Sequence, residues 1–152
     1  MNLLPISSLS AAVLVLFTMA ATAAQTTDEG GRHADGERIL RHLSADAGQP
    51  VLEALREDYP ALADGITGYA LGEIWTRTGL DDRTRQLAAV SAFAAQGNLA
   101  YMKVHAGYAL QHGVTREQLK EVIYLTTVTA GFPRAIDAAQ ALREVPDPDP
   151  AR

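Results

Sequence analysis

From Glu37 to Glu144 the apolar residues return every three or four positions, and glycine, proline or a capping residue cuts the pattern at short intervals. Almost no run of alternating β-branched residues competes with it. A repeat near 3.6 residues with such punctuation specifies short amphipathic helices, so the chain is expected to be all-α. The first helix is expected over "ERILRHLSA" (Glu37 to Ala45) and the second from Pro50, where proline suits a first turn. The third should start near Pro60 and carry Gly65, Gly68 and Gly72, which mark either a close backbone approach or a break. Asp81 is the natural N-cap of a fourth helix that Gly97 can end, and a fifth runs from Asn98 to His112 with Gly113 behind it. Thr115 and Gln118 form a capping box for the sixth. Gly131 closes that helix, and Pro133 opens a seventh that runs to about Glu144.

The ends of the chain differ from this middle. Leu9 to Ala24, "LSAAVLVLFTMAATAA", is apolar or small throughout and closes on the small-x-small Ala21-Thr22-Ala23. It is shorter than the ~20 residues that cross a bilayer and reads as a secretory signal over 1–24, cleaved near Ala23 or Ala24. The expected location is therefore periplasmic or secreted, with no membrane attachment after cleavage; because the first eight residues carry no Lys or Arg, the alternative is a segment retained as an anchor. Residues 25–36 are polar and glycine-rich and read as a flexible leader. Residues 146–152 alternate proline and read as a tail, which leaves one helical domain over 37–145.

Composition then removes function classes. The net charge is −5 and no basic cluster occurs, so nothing offers a footprint for a nucleic acid. The 152 residues include no cysteine, which excludes disulfides, thiolate metal sites and thiol peroxidase chemistry. The fourth and fifth helices are rich in alanine, which packs closely but buries little area per residue, so a homo-oligomer is expected to complete the core.

The fifth helix carries the residues with most chemistry. Leu99, Met102, Ala106, Ala109 and Leu110 fall on its core arc, whereas Asn98, Tyr101, His105, Tyr108 and His112 form a second stripe at its boundary. Such a stripe either lines a pocket with His105 as proton carrier or fills a subunit interface with rings, and spacing alone favours packing. His112, just before the C′ glycine, suits a helix C-terminus as a cation. His105 and His112 are seven apart with no carboxylate to complete a ligand set on this helix, so no metal site is expected. His42 reads as a surface residue. In "GEIWTRTGLDDRTRQ", Glu73 and Arg77 are four apart, an ordinary helical pair or, in a pocket, a proton carrier and a carboxylate clamp. Arg83 and Arg85 oppose the dipole of the fourth helix, which suggests a separate task, either an ion pair with Asp81 or Asp82 or the binding of an anion.

Taken together, these segments resemble the carboxymuconolactone decarboxylase family, whose all-helical fold also serves the alkyl hydroperoxidase D-type proteins. "GEIWTRTGLDDRTRQLAAVSA" is similar to the family's G-E-x-W-x-R-P-G-L followed by a T-R helix, "HAGYALQHGVTREQLKEV" to H-x-x-x-A-L-x-x-G-x-T with its acidic helix, and "AGFPRA" to A-G-x-P-x-A. The resemblance covers Leu71 to Leu142 and implies a helical bundle of six to seven helices, assembled as a trimer or hexamer. In the peroxidase branch a C-x-x-C pair precedes the histidine; here those positions hold Asn98 and Tyr101, and the relay glutamate and second histidine fall on Gln86 and Ala100.

The decarboxylase branch asks for no cysteine, metal or organic cofactor. For this chain it implies a lyase acting on a small carboxylated or lactone compound, with His105 and Glu73 as the acid/base pair and Arg77 or Arg85 on the substrate carboxylate beside Trp75 and Tyr101. Thr78 stands where proline is usual and Thr129 where a tyrosine often precedes the turn, departures that bear on the substrate more than on the fold. The competing expectation is a non-catalytic oligomer that binds a small molecule or acts as a scaffold.

Overall fold

A computed structural model describes residues 29–148. The signal and the first residues of the leader lie outside the described residues, as does the end of the tail. Among the described residues there are helices and no strands. They form two compact units. Residues 29–39 and Pro50–Thr76 make the first; Leu40–Gln49 and residues 77–148 make the second.

The first helix, α1, covers 29–44. It therefore starts well before the Glu37 expected from periodicity and takes in residues read as leader. Local propensity argues against a helix with Gly30, Gly31 and Gly36 in it, but tertiary contacts in the first unit supply what propensity lacks. That unit continues with α2 (Pro50–Asp58), α3 (Pro60–Asp64) and a π-helical segment, Gly65–Ile74. Arg32 Nη1 donates to Glu73 Oε2 at 3.4 Å, His33 Nε2 meets Asp64 Oδ1 at 3.3 Å, and Arg56 pairs with Glu37.

Backbones touch where the glycines are. A Cβ on Gly36 would stand 1.9 Å from the carbonyl oxygen of Thr67, and one on Gly72 the same distance from that of Arg32. Of the two readings left open for the third helix's glycines, close approach holds at Gly72. The widened turn ends with the Trp75 amide donating to Ala70 O, and Thr76 Oγ1 donates to the carbonyls of Gly72 and Glu73.

In the second unit the expected punctuation appears. Asp81 caps α4 (Asp82–Gln96) by accepting from the Thr84 amide, and Gly97 turns the chain at φ +74° into α5 (Leu99–Gln111). Thr115 and Gln118 make both bonds of the capping box on α6 (Arg116–Ala130), and Pro133 sits in the first turn of α7 (Phe132–Arg143). The core between them is rich in alanine: Ala94, Ala106, Ala109 and Ala138 are fully buried with Val90, Met102 and Leu119.

The two arginines of α4 hold loops. Arg83 donates to the carbonyl of Gly113 at 2.6 Å and to Gln118 Oε1 at 3.1 Å, and Arg85 Nη2 donates to the carbonyls of Arg77 and Leu80. Arg116 holds the chain after α7. Its guanidinium reaches Leu142 O at 3.2 Å, Val145 O at 2.8 Å and Asp147 Oδ1 at 2.6 Å.

Candidate active site

His105 lies midway along α5, on the stripe beside the alanine face that α5 turns to the core. Its ring is largely enclosed. Nδ1 is 2.8 Å from Oε1 of Gln86 on α4, a residue with no exposed surface. Because an amide oxygen can only accept, Nδ1 carries the proton and Nε2 is the basic nitrogen of the ring. Phe93, two turns further along α4, stacks on the imidazole with centroids 5.2 Å apart and planes 23° apart, and Tyr108 meets it edge-on at 6.0 Å. Tyr101 extends the cluster through Phe93 at 5.7 Å and is itself 46% exposed, so the cluster reaches the surface there.

Burial sets the charge of the site. Desolvation pushes His105 from its ordinary 6.5 down to about 4, so the imidazole is neutral at pH 7. Burial likewise raises Tyr108, which stays a phenol while its hydroxyl accepts from Gln49 Nε2 at 3.5 Å. Gln86 Nε2 is buried with no hydrogen-bond partner among the described residues. A buried amide donor left in that state costs about 1–3 kcal/mol, a cost that an acceptor within its reach would remove.

The other expected site residues are distributed between the units. Arg77 is exposed in the loop that Arg85 ties to α4, both in the second unit. Glu73 and Trp75 belong to the first unit, where Glu73 pairs with Arg32 at the edge of a cleft of about 650 Å³ that His33, Asp64 and Tyr69 also line. The partner of His105 that sequence reasoning missed is Gln86, noted there only as the place of an absent glutamate. Phe93 was missed as well; its signal is the heptad spacing from Gln86 along one face of α4.

The second unit thus encloses a neutral histidine between a buried amide and aromatic rings, a group able to take up or release a proton, in a chain without a thiol. Comparison with known proteins narrows this. Residues 60–144 match the family model described as "Carboxymuconolactone decarboxylase family", and the chain belongs to that family. The 4-carboxymuconolactone decarboxylase of Acinetobacter baylyi is 32% identical over 94 residues, which are 62% of this chain and 70% of that protein. The nitrosuccinic acid decarboxylase of Metarhizium robertsii is 30% identical over 116 residues, 74% of this chain and 81% of that one. An uncharacterized 15.0 kDa protein of Paracoccus denitrificans is 28% identical over 96 residues. The all-α fold expected from the resemblance and the decarboxylase-type function at family level both stand.

Proposed function

We propose that the protein is a cofactor-independent lyase that releases carbon dioxide from a small carboxylated or lactone compound, with His105 as its proton carrier. The observation that carries this reading is the neutral, enclosed His105 held by Gln86, whose own amide N–H still seeks an acceptor. Two relatives are named as decarboxylases, one of a carboxylated lactone and one of a nitro-substituted dicarboxylic acid. Both names describe a carboxylate in a molecule with an electron-withdrawing group.

The steps follow from the groups present. A substrate carboxylate near the ring offsets the cost of charging it, so His105 takes up a proton as the anion binds. The C–C bond to the carboxylate breaks, carbon dioxide leaves, and the electron pair passes into the conjugated withdrawing group. Gln86 Nε2 donates to the oxygen on which that charge gathers. The His105 imidazolium returns its proton to carbon, and one proton is consumed per carbon dioxide released. Arg77 is assigned to the substrate carboxylate and Arg85 to the position of its loop, which its bonds to the Arg77 and Leu80 carbonyls support. No step runs through Glu73 or Trp75.

The same proposal includes the setting. Self-association is supported by an apolar strip on α6 and α7, where Val128 is 81% and Phe132 70% exposed. Export is supported by the composition of Leu9 to Ala24.

The test is carbon dioxide release from γ-carboxymuconolactone by the purified chain, with folded His105→Ala alongside. Release should fall by about 10²-fold or more in the variant. Binding of the lactone without release by either protein would support the non-catalytic alternative, and release untouched by the substitution would remove His105 from the mechanism.

A further inference from the structure

A second group of side chains in the second unit plays no part in that chemistry. His42 is in the last turn of α1, Asp82 opens α4 and His112 caps α5. His42 Nε2 lies 2.8 Å from Asp82 Oδ2, and the two imidazole centroids are 4.6 Å apart, tilted by 48°. One nitrogen from each ring and one carboxylate oxygen all fall within 4.8 Å of one another.

We propose that His42, Asp82 and His112 form a binding site for a divalent transition-metal ion of the zinc class. An ion pair between His42 and Asp82 would account for those two residues, whose side chains are 53% and 37% exposed. It would leave His112 unexplained, because Nε2 of that ring is buried with no hydrogen-bond partner among the described residues. An ion bound among the three side chains would give the His112 ring a partner that the His42–Asp82 pair does not.

The donor set selects the ion. Two imidazoles and a single carboxylate suit zinc, iron, nickel or copper, whereas magnesium and calcium require oxygen ligands throughout. Ligand atoms ~2.0–2.2 Å from a tetrahedral ion stand about 3.4 Å apart, wider than the 2.8 Å between His42 and Asp82 and inside the 4.8 Å that spans all three, so the exposed His42 ring has to move off the Asp82 oxygen to admit the ion. Three protein ligands leave one tetrahedral position for water or an incoming anion.

Seven residues of helix separate His112 from His105, a rise of ~10 Å, so the ion would sit apart from the acid/base site. Its direct effect is to tie the end of α1, the start of α4 and the end of α5 together.

The experiment uses the full chain, untagged and stripped with a chelator, titrated with Zn²⁺ by calorimetry and followed by thermal unfolding; Co²⁺ replaces Zn²⁺ for a visible spectrum. One ion per chain, a Tm that rises with Zn²⁺ and not with Mg²⁺, and cobalt bands of a nitrogen–oxygen site are expected. His42→Ala, at an exposed position, and Asp82→Asn should each weaken the affinity by at least about tenfold, the effect of losing even an outer partner of a metal ligand. His33→Ala, in the first unit, should leave it unchanged. The proposal is overturned by the absence of saturable Zn²⁺ uptake, or by uptake that survives both His42→Ala and Asp82→Asn. Because none of these readouts involves turnover, failure here and failure of the lyase reading are separate results.

Discussion

The neutral state of His105 has a thermodynamic consequence. The unfolded chain protonates this ring near 6.5 and the folded chain near 4, so between those values the unfolded state holds more protons. Stability from this residue is complete above about pH 6.5, is lost as the pH falls towards 4, and changes no further below that. A displacement of that size is worth about 3 kcal/mol. Urea unfolding at a series of pH values should show this loss, and His105→Gln should flatten it; an unaltered pH dependence in the variant would contradict the burial. The residues of α5 were legible because three- and four-residue spacing places Tyr101, His105 and Tyr108 on one stripe. The partners were not. Gln86 is 19 positions away on another helix, and His42 read as a surface residue because no local pattern brings residue 42 to residue 112.

At the scale of the element, the caps were the most legible feature. Asp81, Gly97, Gly113, Thr115 with Gln118, and Pro133 act through bonds or backbone angles within a few residues, and sequence displays such relations directly. The start of α1 and the π-helical segment depend on partners distant in sequence, and neither could be read from propensity. The glycines give a sharp test of those partners. Gly72→Ala puts a methyl group 1.9 Å from the Arg32 carbonyl, so the first unit should lose about 1–3 kcal/mol or more, as overpacking does. Gly65→Ala, with helical dihedrals and nothing within 4 Å, should be neutral or stabilising by up to ~1 kcal/mol. Equal effects in thermal or chemical unfolding would mean that Gly72 is not a contact point.

The whole molecule still carries exposed apolar surface. Tyr124, Leu125 and Val128 on α6 and Phe132 and Ile136 on α7 are exposed large hydrophobics outside the core, surface that a second copy would cover. Sedimentation should show more than one chain per particle, and Val128→Asp should lower the mass while helical content stays; a monomer in both proteins would end the oligomer proposal. Arg116 bears on a different property of the molecule. It sits in the first turn of α6 yet bonds to the Leu142 carbonyl in the last turn of α7 and to the chain beyond it at Val145 and Asp147. A pull on the chain at Asp147 therefore reaches the start of α6 through this guanidinium as well as the end of α7 through the backbone.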